Sequence, residues 1–456
     1  MLQPLYGNRT LIAVVITLIA TLITDISFLR TYDLIPKSLL LNHGVTIFII
    51  IVLIYSVGQY LILRTLRYRT VDIRTKSRTL FSIDRGMTIV QYVLLASLAI
   101  LVLQVLLTNK YSTHILTFSI AVSFGMGAFN LGVLAKLFLS WFKYNMHSIL
   151  AIYGLASLSL TTVAIVTLLF VYSTLSYKLQ VITPFLGGST IFIPTYSVAQ
   201  VLDGMNFVLS IISFLLTWIA TFFLLKSYSK KMGEIKFLLV VSLPLVFFIV
   251  QFLIQFSDSI IMILAAGTTQ YAVIFTLVFT FIKLLGAIMF GIAFWIIVRN
   301  LDPILDVRNF MIVAGIGYVF LFTSNQASSI VVAPYPPYGL TTFLFFALSS
   351  YLVLTGIYGS AISLAEDSRL RKTVRNYVQQ KLLDDIALAS VQREIYDRST
   401  KIFREYKDDL YENSGLSTSL NDDEVRSYVE EVVKLRESEL KKIREGSEDQ
   451  GLHPDE

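Results

Sequence analysis

Lys283 is the side chain whose type and position most demand a chemical account. It sits near the middle of an apolar run over residues 272–298, too far from either end to reach water easily. An ionised lysine at the centre of a bilayer costs at least ~2.5–3.5 kcal/mol. A charge kept there fits a substrate or ion path, or a counter-ion to a buried carboxylate. Asp25, Asp203 and Asp258 are the available carboxylates, all near span ends. The plainer reading is a lysine at a helix interface bonded to backbone carbonyls. A second anomaly is the run Thr323, Ser324, Asn325, Gln326, Ser328 and Ser329 inside another apolar span. Facing lipid, such side chains would lack partners. Ser324, Asn325 and Gln326 are therefore expected either to line a polar pocket in the outer half of a bundle or to mark a helix end at the headgroups. Pro334, Pro336 and Pro337 then preset an extended loop by fixing φ, and Tyr335 and Tyr338 suit a membrane interface.

Enzyme chemistry finds no foothold. His43, His114, His147 and His453 show no metal-ligand spacing. There is no phosphate-cradling glycine loop, no HExxH and no Gly-x-Ser-x-Gly elbow. The chain has no cysteine, which excludes disulfides and thiolate chemistry. The carboxylates at Asp384-Asp385 and at Asp422-Asp423-Glu424 fit the solvated faces of acidic helices. The expectation is a protein that is not an enzyme, with no catalytic residue, metal or cofactor.

The elements that must position these residues are membrane helices. Only 15% of the chain is charged and 55% is hydrophobic, against about 25% charged in soluble domains. A hydrocarbon core of about 30 Å needs roughly 20 apolar residues per crossing. By that measure ten spans are expected, near 11–28, 45–63, 87–107, 114–135, 149–175, 201–225, 237–256, 272–298, 310–328 and 338–364. With ten spans, the loop from Arg64 to Gly86, rich in arginine, falls on the same side as Lys136, Lys143, Lys226, Lys230, Lys231, Lys236, Arg299 and Arg308. The opposite side holds only Arg30, Lys37, Lys110 and Lys178. Positive charge marks the cytoplasmic side, so both termini are expected there, in a multi-pass protein of the cell membrane. The basic excess thus reflects orientation and implies no nucleic acid. Residues 257–271, interrupted by Gly267-Thr268-Thr269-Gln270, admit a re-entrant piece instead of plain helix. The outer loop from Ser176 to Gln200 is apolar and punctuated by Pro184, Gly187, Gly188 and Pro194, so it should lie on the bundle. Small residues four apart, Ser123/Gly127 and Ala128/Gly132 in span four and Gly356/Ser360 and Gly359/Ser363 in span ten, allow close helix approach. Asn130 suits an interhelical hydrogen bond.

Charge divides the chain once. Residues 1–365 carry a net +12 and residues 366–456 a net −6. The fold expected is all-α: a polytopic bundle over 1–365, a cytosolic amphipathic helical tail over 366–446 and a disordered end over 447–456. Leu370, Val374, Val378, Leu382 and Ile386 recur every four residues, the stripe of a helix that docks on another, coiled-coil fashion. Its candidate partners are the second tail helix, a second copy of the chain, a cytosolic protein or the basic 64–85 loop; the bundle's own partner is the lipid bilayer.

The run Ser324-Asn325-Gln326-Ala327-Ser328-Ser329, the Pro-Tyr-Pro-Pro-Tyr-Gly loop and the Leu370-Arg371 tail entry resemble a family of polytopic archaeal membrane proteins with no assigned activity. That resemblance covers roughly 320–400, transfers no functional residue and implies the archaeal cell membrane. Two functions fit the pattern. One is a sensor or scaffold coupling the bundle to the tail through span ten. The other is a secondary transporter with Lys283 and Ser324–Gln326 beside its path. One central charge with few paired polar groups favours the first.

Overall fold

The structure is a computed structural model that describes residues 12–20, 37–69, 78–108, 110–144, 146–176, 181–182, 198–226, 229, 233–256, 284–296, 306–324, 339–366, 386 and 389. Described helices lie in the apolar runs expected from the sequence, one in each run. They are α1 (12–20), α2 (Lys37–Arg69), α3 (Arg78–Thr108), α4 (Thr113–Tyr144) and α5 (Ser148–Ser176). They continue as α6 (Val198–Lys226), α7 (Glu234–Phe256), α8 (Leu284–Ile296), α9 (Asp306–Ser324) and α10 (Gly339–Glu366). Seven of them, α2 to α6, α9 and α10, are long and apolar enough to cross a membrane. The cause is general: lipid offers backbone N–H and C=O groups no partner, so the chain satisfies them within helices. The described β structure is one two-residue pair, β1 (Tyr111–Ser112) antiparallel to β2 (Val181–Ile182). It fastens the start of the 176–200 segment to the connection between α3 and α4.

Two boundaries differ from expectation in an instructive way. The basic segment from Arg64 to Gly86 is mostly not a loop. Arg64, Arg67 and Arg69 belong to α2, and Arg78 and Arg85 to α3, leaving 70–77 between them. At 33 residues, α2 is about 50 Å long, well beyond the hydrocarbon thickness of about 30 Å. Charge ends the apolar window but not the helix, because the backbone hydrogen bonds run on regardless of side-chain polarity.

Successive helices run in opposite directions. Gln59 meets Gln91 and Arg67 meets Asp84 across α2 and α3. Phe138 stacks on Tyr153 across α4 and α5, and Thr167 bonds Asn206 across α5 and α6. Phe214 stacks on Phe248, and Phe222 meets Phe237, across α6 and α7. Phe294 stacks on Tyr318 and Phe290 meets Phe322 across α8 and α9. The alternation brings the C-termini of α2, α4, α6, α8 and α10 and the N-termini of α3, α7 and α9 to one end of the bundle, called the 70–77 end after the residue numbers between α2 and α3. It also makes α8 run opposite to α7, so the C-terminus of α7 and the N-terminus of α8 lie at the other end.

α10 is the axis. In its apolar window 89% of residues are buried, against 33–67% in the other six. It packs on α9, α4, α2 and α3. Its crossing with α9 is set by glycine. A Cβ on Gly356 would lie 2.5 Å from both the Ala314 nitrogen and the Phe310 carbonyl oxygen, and one on Gly317 would lie 2.7 Å from the Val353 nitrogen. On its other side, Gly127 of α4 receives the Phe346 ring, which stacks on Phe124 at 4.5 Å. Gly127 and Gly356 thus do what the small-residue spacing suggests. Gly356→Leu should force α9 and α10 apart and lower the melting temperature in detergent, because backbone atoms cannot step aside as a side chain can. Gly132→Ala, whose added Cβ would meet only Thr161 at 3.8 Å, should leave it unchanged. Equal melting of the two variants would contradict this packing.

Candidate functional site

At the 70–77 end, three helices converge on one carboxylate. Asp84 stands in the second turn of α3, opposite the last turn of α2 and against the middle of α10. It is the only charged residue in the buried set among the described residues. Arg67 Nε lies 3.4 Å from Asp84 Oδ1. The buried Tyr351 hydroxyl donates to the same oxygen at 2.7 Å. Arg67 Nη2 also donates to Thr88 Oγ1 at 2.6 Å, and Thr88 in turn donates to the Asp84 backbone carbonyl at 2.7 Å. One anion is therefore held by a guanidinium from α2 and a phenol from α10, while Thr88 sets where the guanidinium sits. The Arg67 side chain is 30% exposed, so it connects this network to the bundle's end.

Two turns deeper on the α2–α3 interface, the Gln91 side-chain amide donates to the Gln59 side-chain oxygen. Both residues are buried, and Gln59 Nε2 and Gln91 Oε1 have no hydrogen-bond partner among the described residues. A third polar layer joins α4 to α10. Asn130 Nδ2 donates to Ser350 Oγ at 3.2 Å, the interhelical bond expected for Asn130. Ser123 donates to the Leu344 carbonyl at 3.4 Å and accepts from the Ala347 backbone N–H at 3.3 Å. α10 is thus tied by specific polar bonds to α3 and to α4, in addition to its apolar packing.

The residues singled out from the sequence fare unevenly. Ser324 ends α9, at the opposite end of the bundle from Asp84. It is buried, and its hydroxyl donates to its own helix at the Leu321 carbonyl, 3.3 Å away. Thr323 does the same with the carbonyls of Val319 and Phe320. Lys283, Asn325 and Gln326 lie outside the described residues, as do Leu370, Val374, Val378 and Leu382. Ile386 is helical and fully buried, and with Ala389 it belongs to the apolar core that contains the bundle. Asp84 went unmarked by span counting because it follows a run of arginines that resembles a loop. The signal that finds it is the polar stripe Asp84, Thr88, Gln91, spaced i, i+4, i+7 on an otherwise apolar helix.

Among the described residues no group of three or more His, Cys, Asp or Glu could hold a metal. What the Asp84 site can do is electrostatic: hold three helices in one register, and weaken if its charge is lost. No protein-family model, curated protein or solved structure compared with the chain matches it.

Asp84→Asn leaves a guanidinium beside a neutral amide and should destabilise the bundle by about 2–3 kcal/mol, the scale of a charged hydrogen bond in a partly buried pair. Adding Arg67→Gln should recover part of that loss, since the second change removes the unpaired charge. Thermal melts of the two single variants and the double variant in detergent check this. Strictly additive losses would contradict a direct pair.

Proposed function

We propose that the chain is a multi-pass cell-membrane protein of ten spans with both ends of the chain cytoplasmic, acting as a non-enzymatic sensor or scaffold. In this reading α10 relays changes in the bundle to the C-terminal tail. The observation that carries it is the position of α10. It is the most buried of the seven long apolar helices and is bonded to α3 through Tyr351 and to α4 through Ser350. It ends at Glu366, twenty residues before a tail segment whose Ile386 and Ala389 are buried with the bundle. A helix so held cannot shift without breaking named bonds, and any shift it makes reaches the tail first. The alternating helix directions support the ten-span count. The end they define carries Arg69, Arg78, Lys143, Lys226 and Arg308, and positive charge supports its being cytoplasmic.

A secondary transporter is the alternative, and one observation favours it. The Gln59–Gln91 pair holds an unpaired donor and an unpaired acceptor inside an apolar bundle, where polar groups often mark a substrate path. Lys283 and Ser324–Gln326 would then lie along or near that path. The relay reading is preferred because the described polar groups are mostly bonded to one another or to their own helices.

Tail docking separates these readings. Burying an isoleucine contributes about 1.5–3 kcal/mol, so Ile386→Asp should speed proteolysis near Ser399 roughly tenfold or more, and Val378→Asp should act alike. Reversing charges at Arg74 and Lys76 should have a smaller, salt-sensitive effect, since exposed pairs contribute only ~0–1 kcal/mol. Unchanged cleavage in Ile386→Asp and Val378→Asp would make the tail an independent appendage and end the relay hypothesis.

A further inference from the structure

The outer wall of the bundle is apolar, as a lipid-facing surface must be: Phe129 of α4 is 55% exposed and Leu155 and Leu158 of α5 are each 47% exposed. α4 interrupts that wall with charge. Lys136 and Lys143 are both exposed and seven residues apart, with Ser140 between them, so all three share one helix face. Among the described residues neither lysine forms an ion pair; the one such pair is Arg67–Asp84. Lys143 lies in the last turn of α4, where the carbonyl end of the helix favours a cation. Lys136 has no such explanation. It stands eight residues before the helix end, about 12 Å down the axis, on the face that carries the exposed Phe129 seven residues earlier. An ammonium in that position calls for a nearby anion.

The shape around it suits one. Gly132 and Ala135 leave α4 without bulk, and a groove of about 530 Å³ opens there, lined by Lys136, Ser140 and Lys143 together with Leu139 and, from α5, Leu158. It lies at the 70–77 end of the bundle. A site with two cations and a hydroxyl beside an apolar wall matches an amphipathic anion rather than a small soluble one. We propose that this groove binds an anionic phospholipid, with the headgroup phosphate between Lys136, Ser140 and Lys143 and an acyl chain along Leu139 and Leu158. Lys136 then reaches along the groove toward the headgroup level while its methylenes stay against apolar surface. Cations placed between membrane helices near the surface are what anionic headgroups recognise.

The test is lipid retention by the purified full chain, read by native mass spectrometry from detergent containing phosphatidylglycerol or phosphatidylcholine. The wild type should retain phosphatidylglycerol in preference to phosphatidylcholine. Lys136→Gln/Lys143→Gln should lower that retention roughly tenfold or more, while Lys226→Gln/Lys236→Gln, an equal loss of charge elsewhere, should not. Gly132→Leu offers a second route, since it fills the groove and keeps both charges, and its Cβ would meet only Thr161 at 3.8 Å. It too should lower retention, with circular dichroism confirming that it folds. Glycerol phosphate at millimolar concentration should not displace the lipid. Retention unchanged in both the double lysine variant and Gly132→Leu, or lowered equally by the Lys226 and Lys236 changes, would overturn the site. Displacement by glycerol phosphate would replace the lipid with a soluble anion and overturn the proposal as well.

Discussion

The packing of α2, α3, α4 and α9 depends on one helix being surrounded. α10 has almost no lipid-facing side: the wall around it comes from α9, α4, α2 and α3. In water, burying apolar area would account for this. In a membrane the lipid is as apolar as leucine, so burial alone contributes little to helix association. What remains is close packing and polar bonding, and α10 carries both. Its glycines admit the backbone of α9, and its aromatic and serine side chains engage α4 and α3.

The polar bonds add direction to that packing. Asp84 accepts from Tyr351 and pairs with Arg67, so α2, α3 and α10 meet at a single charge near the 70–77 end. Asn130 with Ser350, and Ser123 with the backbone of Leu344 and Ala347, fix the register of α4 against α10 farther along. A sliding helix would have to give up several bonds together. Such a bundle has discrete arrangements rather than a continuum, and a helix with discrete positions can carry a signal to whatever follows it. The lipid groove on α4 adds a second input, because α4 is the helix that Ser123 and Asn130 lock to α10.

Much of this frame was legible from apolar run length alone, since each of the ten runs holds a helix. The close approaches were legible too: Gly127, Gly356 and Gly359 stand where small residues four apart predict contact. The charged site was not. Asp84 lies in a stretch whose arginines look like a loop, and nothing local tells that α2 continues to Arg69 and α3 begins at Arg78. That continuation follows from backbone hydrogen bonding, which residue-by-residue hydropathy does not register. Of the polar run, Thr323 and Ser324 are described, while Asn325 to Ser329 lie outside the described residues. Hydroxyls that look costly in an apolar span are met by carbonyls three and four residues earlier in the same helix, a local remedy that needs no pocket.

The central claim is that the state of α10 inside the membrane sets the state of the tail. Hydrogen–deuterium exchange across residues 380–392 tests it most directly, comparing the wild type with Tyr351→Phe, a change confined to the loss of one hydroxyl deep in the bundle. The account predicts faster exchange in that tail segment although it lies 35 residues beyond the substitution at its Ile386 landmark. Unaltered tail exchange, with faster exchange confined to α10 and its neighbours, would contradict it.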